Sequence, residues 1–388
     1  MKNIMMLGGD NTSDRFGSAL TRKILEKCPR TTLFGVGGPL MNDAGVRLLY
    51  DISEQVSLGI FQSMKGSLVV KRMIKRVVEA MDREQPSLVV QIGLPVFGYK
   101  LLEIARAKGI PVLYYYTPLS RGLGNVKGSP FSTVVNKVAS ISRFETARCE
   151  EVGIDYKFVG HPLMDLTDFT LTPSRARAKL GIESEQTKVL AVLPGAREVE
   201  VRNALPGVLK ALDVVEQKHD DVQIIVSMAP TIRSILVDEI VKKCPADKVR
   251  LERDTYSVLR AADLAITSIG TSSLEASLLG VPSVAVYRVP HSTYFVEKLL
   301  DRKPNMTITN NILRKTVIPE FIQGHFVHTK VAETVERLLY SGEARQAMLE
   351  EFSHLEYELG EPGSVGRRNL RWNDLLTGLP NGIHPQSL

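Results

Sequence analysis

Three short segments of this 388-residue chain combine small residues with charge in a spacing suited to phosphate chemistry. In "LPGAREVEV" the turn Pro194-Gly195-Ala196 leads into Arg197. Gly195 allows close backbone approach, and the Arg197 guanidinium is a permanent cation whose fork matches phosphate oxygens, although a surface salt bridge would use it equally well. Glu198 and Glu200, near the start of the next helix, have a simple helix-dipole explanation. In "TSIGTSSLEASLLG" the residues Gly270, Thr271, Ser272 and Ser273 form a small-residue turn at a helix start. Free backbone N–H groups and hydroxyls there can hold a diphosphate, and Glu275, one turn on, can accept from ribose hydroxyls. The competing reading is a Ser/Thr cap followed by a glutamate, which resembles a capping box. The third segment, "GGDNTSDRFGSAL", offers the carboxylates Asp10 and Asp14 around a turn that is otherwise a plain capped helix start.

Several chemistries lack their residues. No G-x-G-x-x-G follows the first strand and no P-loop occurs, which argues against dinucleotide oxidoreduction and P-loop hydrolysis. No Asp-x-Asp pair is present to hold a metal on a diphosphate, so neither metal nor other cofactor is expected, and charge neutralisation falls to arginine and helix dipoles. The stretch "QIGLPVFGYK", residues 91–100, closes an apolar strand and holds no acid, base or nucleophile before Lys100. His161, in "VGHPLMD", has the pKa of a base, but structural hydrogen bonding is its expected role.

The elements that must carry these loops alternate along the chain. Short β-rich runs ("NIMMLGG", "TTLFGVGG", "RLLYD", "SLVVQIG", "PVLYYYTP", "ASIS", "KFVGH") are separated by helical patterns, and a second series follows ("KVLAVLPG", "VQIIVSMAP", "VRLER", "LAITSIG", "PSVAVYRV"). Each series predicts one doubly wound parallel sheet, with ligands expected outside the strands' carboxyl ends, in the cleft between the two domains. A polar, turn-rich connection places the boundary near residues 163–172. The domains are expected at 1–167 and 168–345, with helices over 346–388 that pack back on the first domain or exchange between subunits.

Length agrees with two domains, and 44% apolar with 24% charged residues describes an ordinary soluble chain. No apolar run reaches a membrane span, and "MKNIMMLGGD" is too short in its apolar core for a secretory signal. Cys28, Cys149 and Cys244 are scattered and odd in number, which favours a reducing cytoplasm. The balance of 49 basic against 43 acidic residues leans toward anionic partners. Basic residues are not interleaved with aromatics, so nucleic acid is not expected. The stretch "MKGSLVVKRMIKRVVEAM" sets Met64, Leu68, Ile74, Val77, Val78 and Met81 among Lys65, Lys71, Arg72, Lys75 and Arg76. It fits a helix lying on the anionic inner face of the cytoplasmic membrane, or an ordinary helix with its stripe on a sheet and its basic face in water.

Taken in order, "GDNTSDRFGSAL", "FGVGGPLMNDAGV", "SLGIFQSM", "ARAKGIPVLYYYTP", "KFVGHPLMD", "LPGAREVEV", "SIGTSSLEASLLGVPSVAVYRV", "STYFVEKLL" and "NNILRKTVIPEFIQ" resemble the lipid-A-disaccharide synthases over nearly the whole chain. The resemblance implies an α/β GT-B fold, two Rossmann-like domains facing across a cleft. It also implies inverting transfer of an acylated glucosamine from a UDP donor to a lipid-linked sugar phosphate. On the donor side it assigns Arg197 after the Pro-Gly turn, Thr271, Ser272 and Glu275 in the nucleotide loop, Tyr287 and Arg288 in a matching segment, and Asn311 near the uracil or sugar.

The first half departs from the family. Gly93 and Val96 stand where the family carries aspartates, one of them a proposed catalytic base, and Gln62 stands where it has a glutamate. After "YYYTP" the family's serine and two tryptophans give way to "LSRGLGNVKGSP", with Gly122, Gly124, Gly128, Arg121 and Lys127. An acceptor pocket rebuilt around Gln62, Gly93, Val96 and Arg121 is expected, taking a lipid-linked or anionic acceptor. Asp10, at the family's glutamate, and Asp14, at a family aspartate, are the remaining candidates for the general base. The alternatives are a true lipid-A-disaccharide synthase with a displaced base and a UDP-sugar-binding protein without turnover. A nucleotide-sugar epimerase would need several carboxylates converging on the sugar, which residues 93–98 do not provide. A homodimer remains open.

Overall fold

The computed structural model describes residues 3–52, 68–93, 99–117, 133–244, 249–290 and 305–361. The chain divides into two compact units, Met1–Asp165 with Glu358–Leu388, and Leu166–Tyr357. Unit 1 runs β1 (Asn3–Gly8), α1 (Asn11–Lys27), β2 (Thr32–Gly37), α2 (Pro39–Asp43), β3 (Arg47–Asp51), α3 (Leu68–Glu84), β4 (Leu88–Ile92), α4 (Lys100–Ala107), β5 (Val112–Tyr115), β6 (Lys137–Ser140), α5 (Arg143–Val152) and β7 (Tyr156–Phe158). Its strands pair in parallel in the order β3-β2-β1-β4-β5-β6-β7. Unit 2 runs α6 (Pro173–Lys179), β8 (Lys188–Leu193), α7 (Glu198–Glu216), β9 (Val222–Ser227), α8 (Ser234–Val241), β10 (Val249–Glu252), α9 (Thr255–Ala261), β11 (Leu264–Thr267), α10 (Thr271–Leu278), β12 (Ser283–Tyr287), α11 (Ile308–Leu313), β13 (Glu320–Ile322), α12 (His328–Tyr340), α13 (Gly342–Phe352) and α14 (Leu355–Leu359), which ends at the unit boundary. Its sheet is likewise parallel, ordered β10-β9-β8-β11-β12-β13.

Central strands such as β4 and β12 are buried at every position, as a sheet covered on both faces requires. In each order the chain reverses direction once, between β1 and β4 in unit 1 and between β8 and β11 in unit 2. At such a reversal the two flanking strand-to-helix turns separate and leave a crevice at the carboxyl edge. The segments singled out by residue type flank these two points: Asp10 and Gly93 in unit 1, Gly195 and Gly270 in unit 2.

Several element bounds differ from the expectation. Strand β6 begins at Lys137 rather than within "ASIS" because that lysine is itself buried, its Nζ 3.2 Å from the Asp155 carboxylate. The edge strand β13 has only three half-buried residues and carries no apolar run to announce it. The helix expected through "EARQAMLEEFSHLEYEL" breaks after Phe352, where the Ser353 hydroxyl turns back on the Glu350 carbonyl at 2.6 Å. The chain expected to leave the second domain at residue 346 stays with unit 2 through Tyr357, and unit 1 takes it up at Glu358. There the His161 backbone N–H donates to the Leu359 carbonyl at 2.9 Å.

Helix α3 resolves the two readings of the basic amphipathic stretch. Val70, Met73, Val77, Ala80 and Met81 pack into the unit 1 core with Ile74 and Val78 partly covered, while Lys71, Arg72, Lys75 and Arg76 face solvent. The apolar stripe is therefore occupied by the protein's own sheet, and the basic face alone is exposed. Met64 and Lys65 lie outside the described residues. Among the described residues no helix is long and apolar enough to cross a membrane. Met73→Ala should lower unfolding free energy in urea by about 2–5 kcal/mol, whereas Lys75→Ala should change it by less than about 0.5 kcal/mol. Equal effects would place the apolar stripe outside the core.

Candidate functional site

In unit 2 the site is built on the carboxyl ends of three adjacent strands, β8, β11 and β12. The turn after β8 contains Gly195 at φ +121°, a backbone that side-chain-bearing residues rarely adopt, and a Cβ there would run into the Glu200 carboxylate. That carboxylate lies under the turn, accepting the Ala196 N–H at 3.2 Å and the Arg197 N–H at 3.3 Å. It also receives the Arg197 Nε at 2.8 Å and pairs with Nη2 of the same residue. Nη2 in turn donates to the Tyr287 hydroxyl at 3.1 Å. Because β11 lies between β8 and β12, this guanidinium reaches across the end of β11, where Ser268 leads into α10. Arg197 is thus a salt-bridged residue whose guanidinium is tied to Glu200 and to Tyr287 at the end of β12.

The start of α10 settles the capping question. The N-cap is Gly270, which has no side chain to cap the helix, and Glu275 takes no part in a capping box. Ser273 turns its hydroxyl back on the Gly270 carbonyl at 2.9 Å, while Ser268 and Ser272 share a hydroxyl contact at 3.2 Å. Thr271 and Ser272 are half-buried. Most helix starts of this kind are capped by Ser, Thr, Asp or Asn; a glycine cap offers no side chain to the first turn's N–H groups, of which that of Ser273 donates to the Gly270 carbonyl at 3.3 Å. Glu275 is buried and accepts the Tyr256 hydroxyl at 2.7 Å, so the tyrosine orients it. Asn311 donates through Nδ2 to the Asn305 and Thr307 carbonyls, at 3.0 and 2.6 Å. Arg288, next after Tyr287, is exposed. Of the donor-side residues expected, Gly195, Arg197, Tyr287, Gly270, Thr271, Ser272 and Ser273 gather at the β8, β11 and β12 ends. Arg288 continues β12, Glu275 lies one turn deeper in α10, and Asn311 sits on α11, which docks on α10 through a Ser277–Thr309 hydroxyl contact of 3.0 Å.

Unit 1 presents fewer groups. Asp10 is the N-cap of α1, its Oδ1 accepting from the Ser13 N–H at 2.7 Å and the Ser13 hydroxyl at 2.6 Å, and it is partly exposed. Asp14 is engaged elsewhere: buried, it accepts the backbone N–H groups of Gly38, Leu40 and Met41 at 2.9, 3.1 and 2.9 Å. Burial raises its pKa against those three donors. It holds the start of α2 against α1, a structural role that uses both of its oxygens. Gly93, at φ +66°, stands beside Ser13 and Tyr116, so the expected aspartate position adjoins the Asp10 turn. Its carbonyl accepts the Tyr114 hydroxyl at 2.7 Å. Gln62, Val96, Arg121 and Lys127 lie outside the described residues. His161 is fully buried, edge-on to Phe16 and Tyr116, with Nδ1 accepting the Leu163 N–H at 3.1 Å. Burial, and then the charge of Arg15, lowers its pKa to about 3, so it stays neutral and does not serve as a base.

Residue-type reasoning missed Glu145, although "SRFE" carries the S-x-x-E pattern. Ser142 caps α5, and Glu145 reaches past it to accept the Ile141 N–H at 2.6 Å and the Thr117 N–H at 3.1 Å. The carboxylate therefore ties the ends of β5 and β6 together. It missed Glu200 in the same way, reading a loop staple as a dipole charge.

Residues 4–362 match the lipid-A-disaccharide synthetase family. The chain belongs to that family. Lipid-A-disaccharide synthase of Syntrophus aciditrophicus (strain SB) is 31% identical over 370 residues, 94% of this chain and 96% of the relative. The synthase of Myxococcus xanthus (strain DK1622) is 28% identical over 364 residues, 94% and 95% of the two chains. Among solved structures, UDP-GlcNAc 2-epimerase from Neisseria meningitidis bound to UDP-GlcNAc superposes with a TM-score of 0.64 at 12% identity, covering 94% of this chain and 97% of that one. Acinetobacter baumannii MurG gives 0.57 at 14% identity, with the same coverage. Those two likenesses concern the fold, two Rossmann-like units of the GT-B class, and membership of the lipid-A-disaccharide synthetase family separates this chain from the epimerases that share it.

Glu145 makes a pH prediction. Burial pushes its carboxyl up to about 8 against the two backbone donors. In the unfolded chain it ionises near the ordinary carboxylate value, so between roughly pH 4.3 and 8 the folded state binds more protons and stability falls as pH rises. Glu145→Gln should flatten the decline in unfolding free energy between pH 5 and pH 8, measured by urea titration. An unchanged slope would remove Glu145 as its cause.

Proposed function

We propose that this chain is an inverting glycosyltransferase that moves a glucosamine-type sugar from UDP to a lipid-linked acceptor, the reaction class of the lipid-A-disaccharide synthases. The observation that carries it is the α10 start, where Gly270 supplies no side-chain cap, with Arg197 held by Glu200 and Tyr287 at the ends of the two flanking strands, positive charge of the kind a leaving diphosphate needs, in a member of this family. In this reading Arg197 and the Gly270–Ser273 turn take the diphosphate, Glu275 the ribose, and Asn311 with Tyr287 and Arg288 the base or sugar. No metal cofactor is part of the proposal. The neighbours solved with UDP-GlcNAc or UDP support a uridine nucleotide as the ligand of unit 2. The enzyme would work in the cytoplasm, drawing its acceptor from the membrane surface with the help of the exposed basic face of α3.

Asp10 is proposed as the acceptor-side base. It is a partly exposed carboxylate at the β1–β4 reversal, and its bonds hold one oxygen on Ser13, the residue that neighbours Gly93. Gly93 itself favours a second reading, a UDP-sugar-binding protein without turnover, since no proton acceptor extends from that strand end.

UDP release from a panel of UDP-sugars, with and without membrane lipid extract, separates the two. Lipid-dependent release is expected. Arg197→Ala should weaken UDP binding by about 10- to 150-fold, the loss of charge-assisted hydrogen bonds worth roughly 1.5–3 kcal/mol; tight UDP-sugar binding with no release from any donor would leave the binding protein. Asp10→Asn tests the base on its own, because asparagine caps a helix as well as aspartate does. Unfolding should be unchanged while kcat falls by about 10²- to 10⁴-fold; full activity in that variant would put the base elsewhere.

A further inference from the structure

Two side chains on the edge strand of unit 2 hold parts of the donor side without belonging to it. Glu320 opens β13, and Gln323 follows its last residue. Glu320 Oε2 accepts the Met306 N–H at 2.8 Å; Oε1 accepts the Thr307 N–H at 2.9 Å, the Thr307 hydroxyl at 2.8 Å and Asn310 Nδ2 at 2.9 Å. Asn310 is fully buried and extends the network, its Oδ1 accepting the Val317 and Ile318 N–H groups at 2.9 and 2.8 Å. The Glu320 bonds converge on the start of α11, a six-residue helix that carries Asn311, and the Asn310 bonds tie that helix to the segment after its end. A helix that short does not hold itself in place, because nucleation costs more than its few hydrogen bonds return. Its position is therefore set from outside, by Glu320 and by the Ser277–Thr309 contact to α10.

Gln323 does the same for the end of β12. The β12–β13 ladder stops at the Tyr287–Ile322 pair. Beyond it the Gln323 side chain takes the place of a peptide group, Oε1 accepting the Val289 N–H at 3.2 Å and Nε2 donating to the Val289 carbonyl at 2.9 Å. Arg288 thus sits between a ladder pair on one side and this amide clamp on the other, its backbone fixed while its side chain stays exposed. A half-buried carboxylate and a buried amide are polar choices at a three-residue edge strand that apolar residues could cover. Their bonds do little for the sheet and much for the two segments carrying Arg288 and Asn311.

We propose that Glu320 and Gln323 are positioning residues of the donor site, Gln323 acting through Arg288 and Glu320 through Asn311. The inference rests on the donor reading of unit 2 above. It predicts coupling, which a purely structural role does not. In titration calorimetry with UDP on the full chain, Gln323→Ala and Glu320→Gln should each weaken binding about tenfold. The first effect should vanish in an Arg288→Ala background and the second in an Asn311→Ala background, while thermal scans confirm that each protein is folded. Should either clamp variant fail to fold, Gln323→Glu, which keeps the acceptor for Val289, and Glu320→Asp replace them. Clamp variants that bind UDP like wild type, or losses that simply multiply in the double variants, overturn the positioning role. A wild-type chain that binds no UDP overturns the donor reading instead, so the two failures are told apart.

Discussion

A parallel sheet buried on both faces satisfies its own backbone, but the turns leaving its carboxyl edge fall outside the ladder and still carry N–H groups that need acceptors. In this protein acidic side chains meet that requirement. Glu200 lies under the turn after β8, Glu145 under the ends of β5 and β6, Asp14 under the turn after β2, and half-buried Glu320 under the start of α11. Each is placed where two or more N–H donors converge, which offsets part of the cost of taking a carboxylate out of water. At Asp14 and Glu145 burial still outweighs those donors and raises the pKa.

The start of α10 is built differently. Here the turn has a glycine cap and serine hydroxyls, and no side-chain cap bond is made by its N-cap residue. A built-in anion would occupy the place a diphosphate needs, and α1 illustrates the contrast, since Asp10 fills that place with its own side chain. The same fold therefore uses one strand-to-helix turn as a closed cap and another as an open one. On the neighbouring strands Arg197 is oriented by Glu200 and Tyr287, so the turn after β8 is tied to the end of β12.

The strands and their parallel pairing were legible because each is an apolar run bounded by glycine, proline or charge. What escaped were the parts whose pattern is not apolar: the start of β6, which opens on a buried lysine paired with Asp155, and β13, a half-buried edge of three residues. The open turn at Gly270 was legible from residue type, but whether a serine capped it depended on backbone direction, which residue type leaves undetermined. Glu145, Glu200, Glu320 and Gln323 were hardest to see. Their partners are backbone groups, which carry no residue identity, and several lie far along the chain. The acidic character of Asp14 was visible, yet its use as an acceptor for three N–H groups requires α2 to be folded beside it.

The difference between the two units follows from what each turn can spare. In unit 2 Gly195, Arg197, Tyr287 and the Gly270–Ser273 turn gather at the strand ends, and Glu200 beneath the turn after β8 is engaged by backbone and side-chain donors. In unit 1 Asp14 is committed to α2, His161 is buried and neutral, and the strand end beside Asp10 carries Gly93 at a left-handed backbone angle. A Cβ at that position would meet Ser13 and Tyr116 at ordinary contact distance, so the space for a larger side chain is present although the backbone angle opposes it. An acid returned to this position would have to pay for its backbone strain in stability, and it would stand next to a carboxylate already in place, so two like charges would share one turn. A single aspartate capping α1 avoids that repulsion, and its bonds to Ser13 hold it at the carboxyl edge of β1.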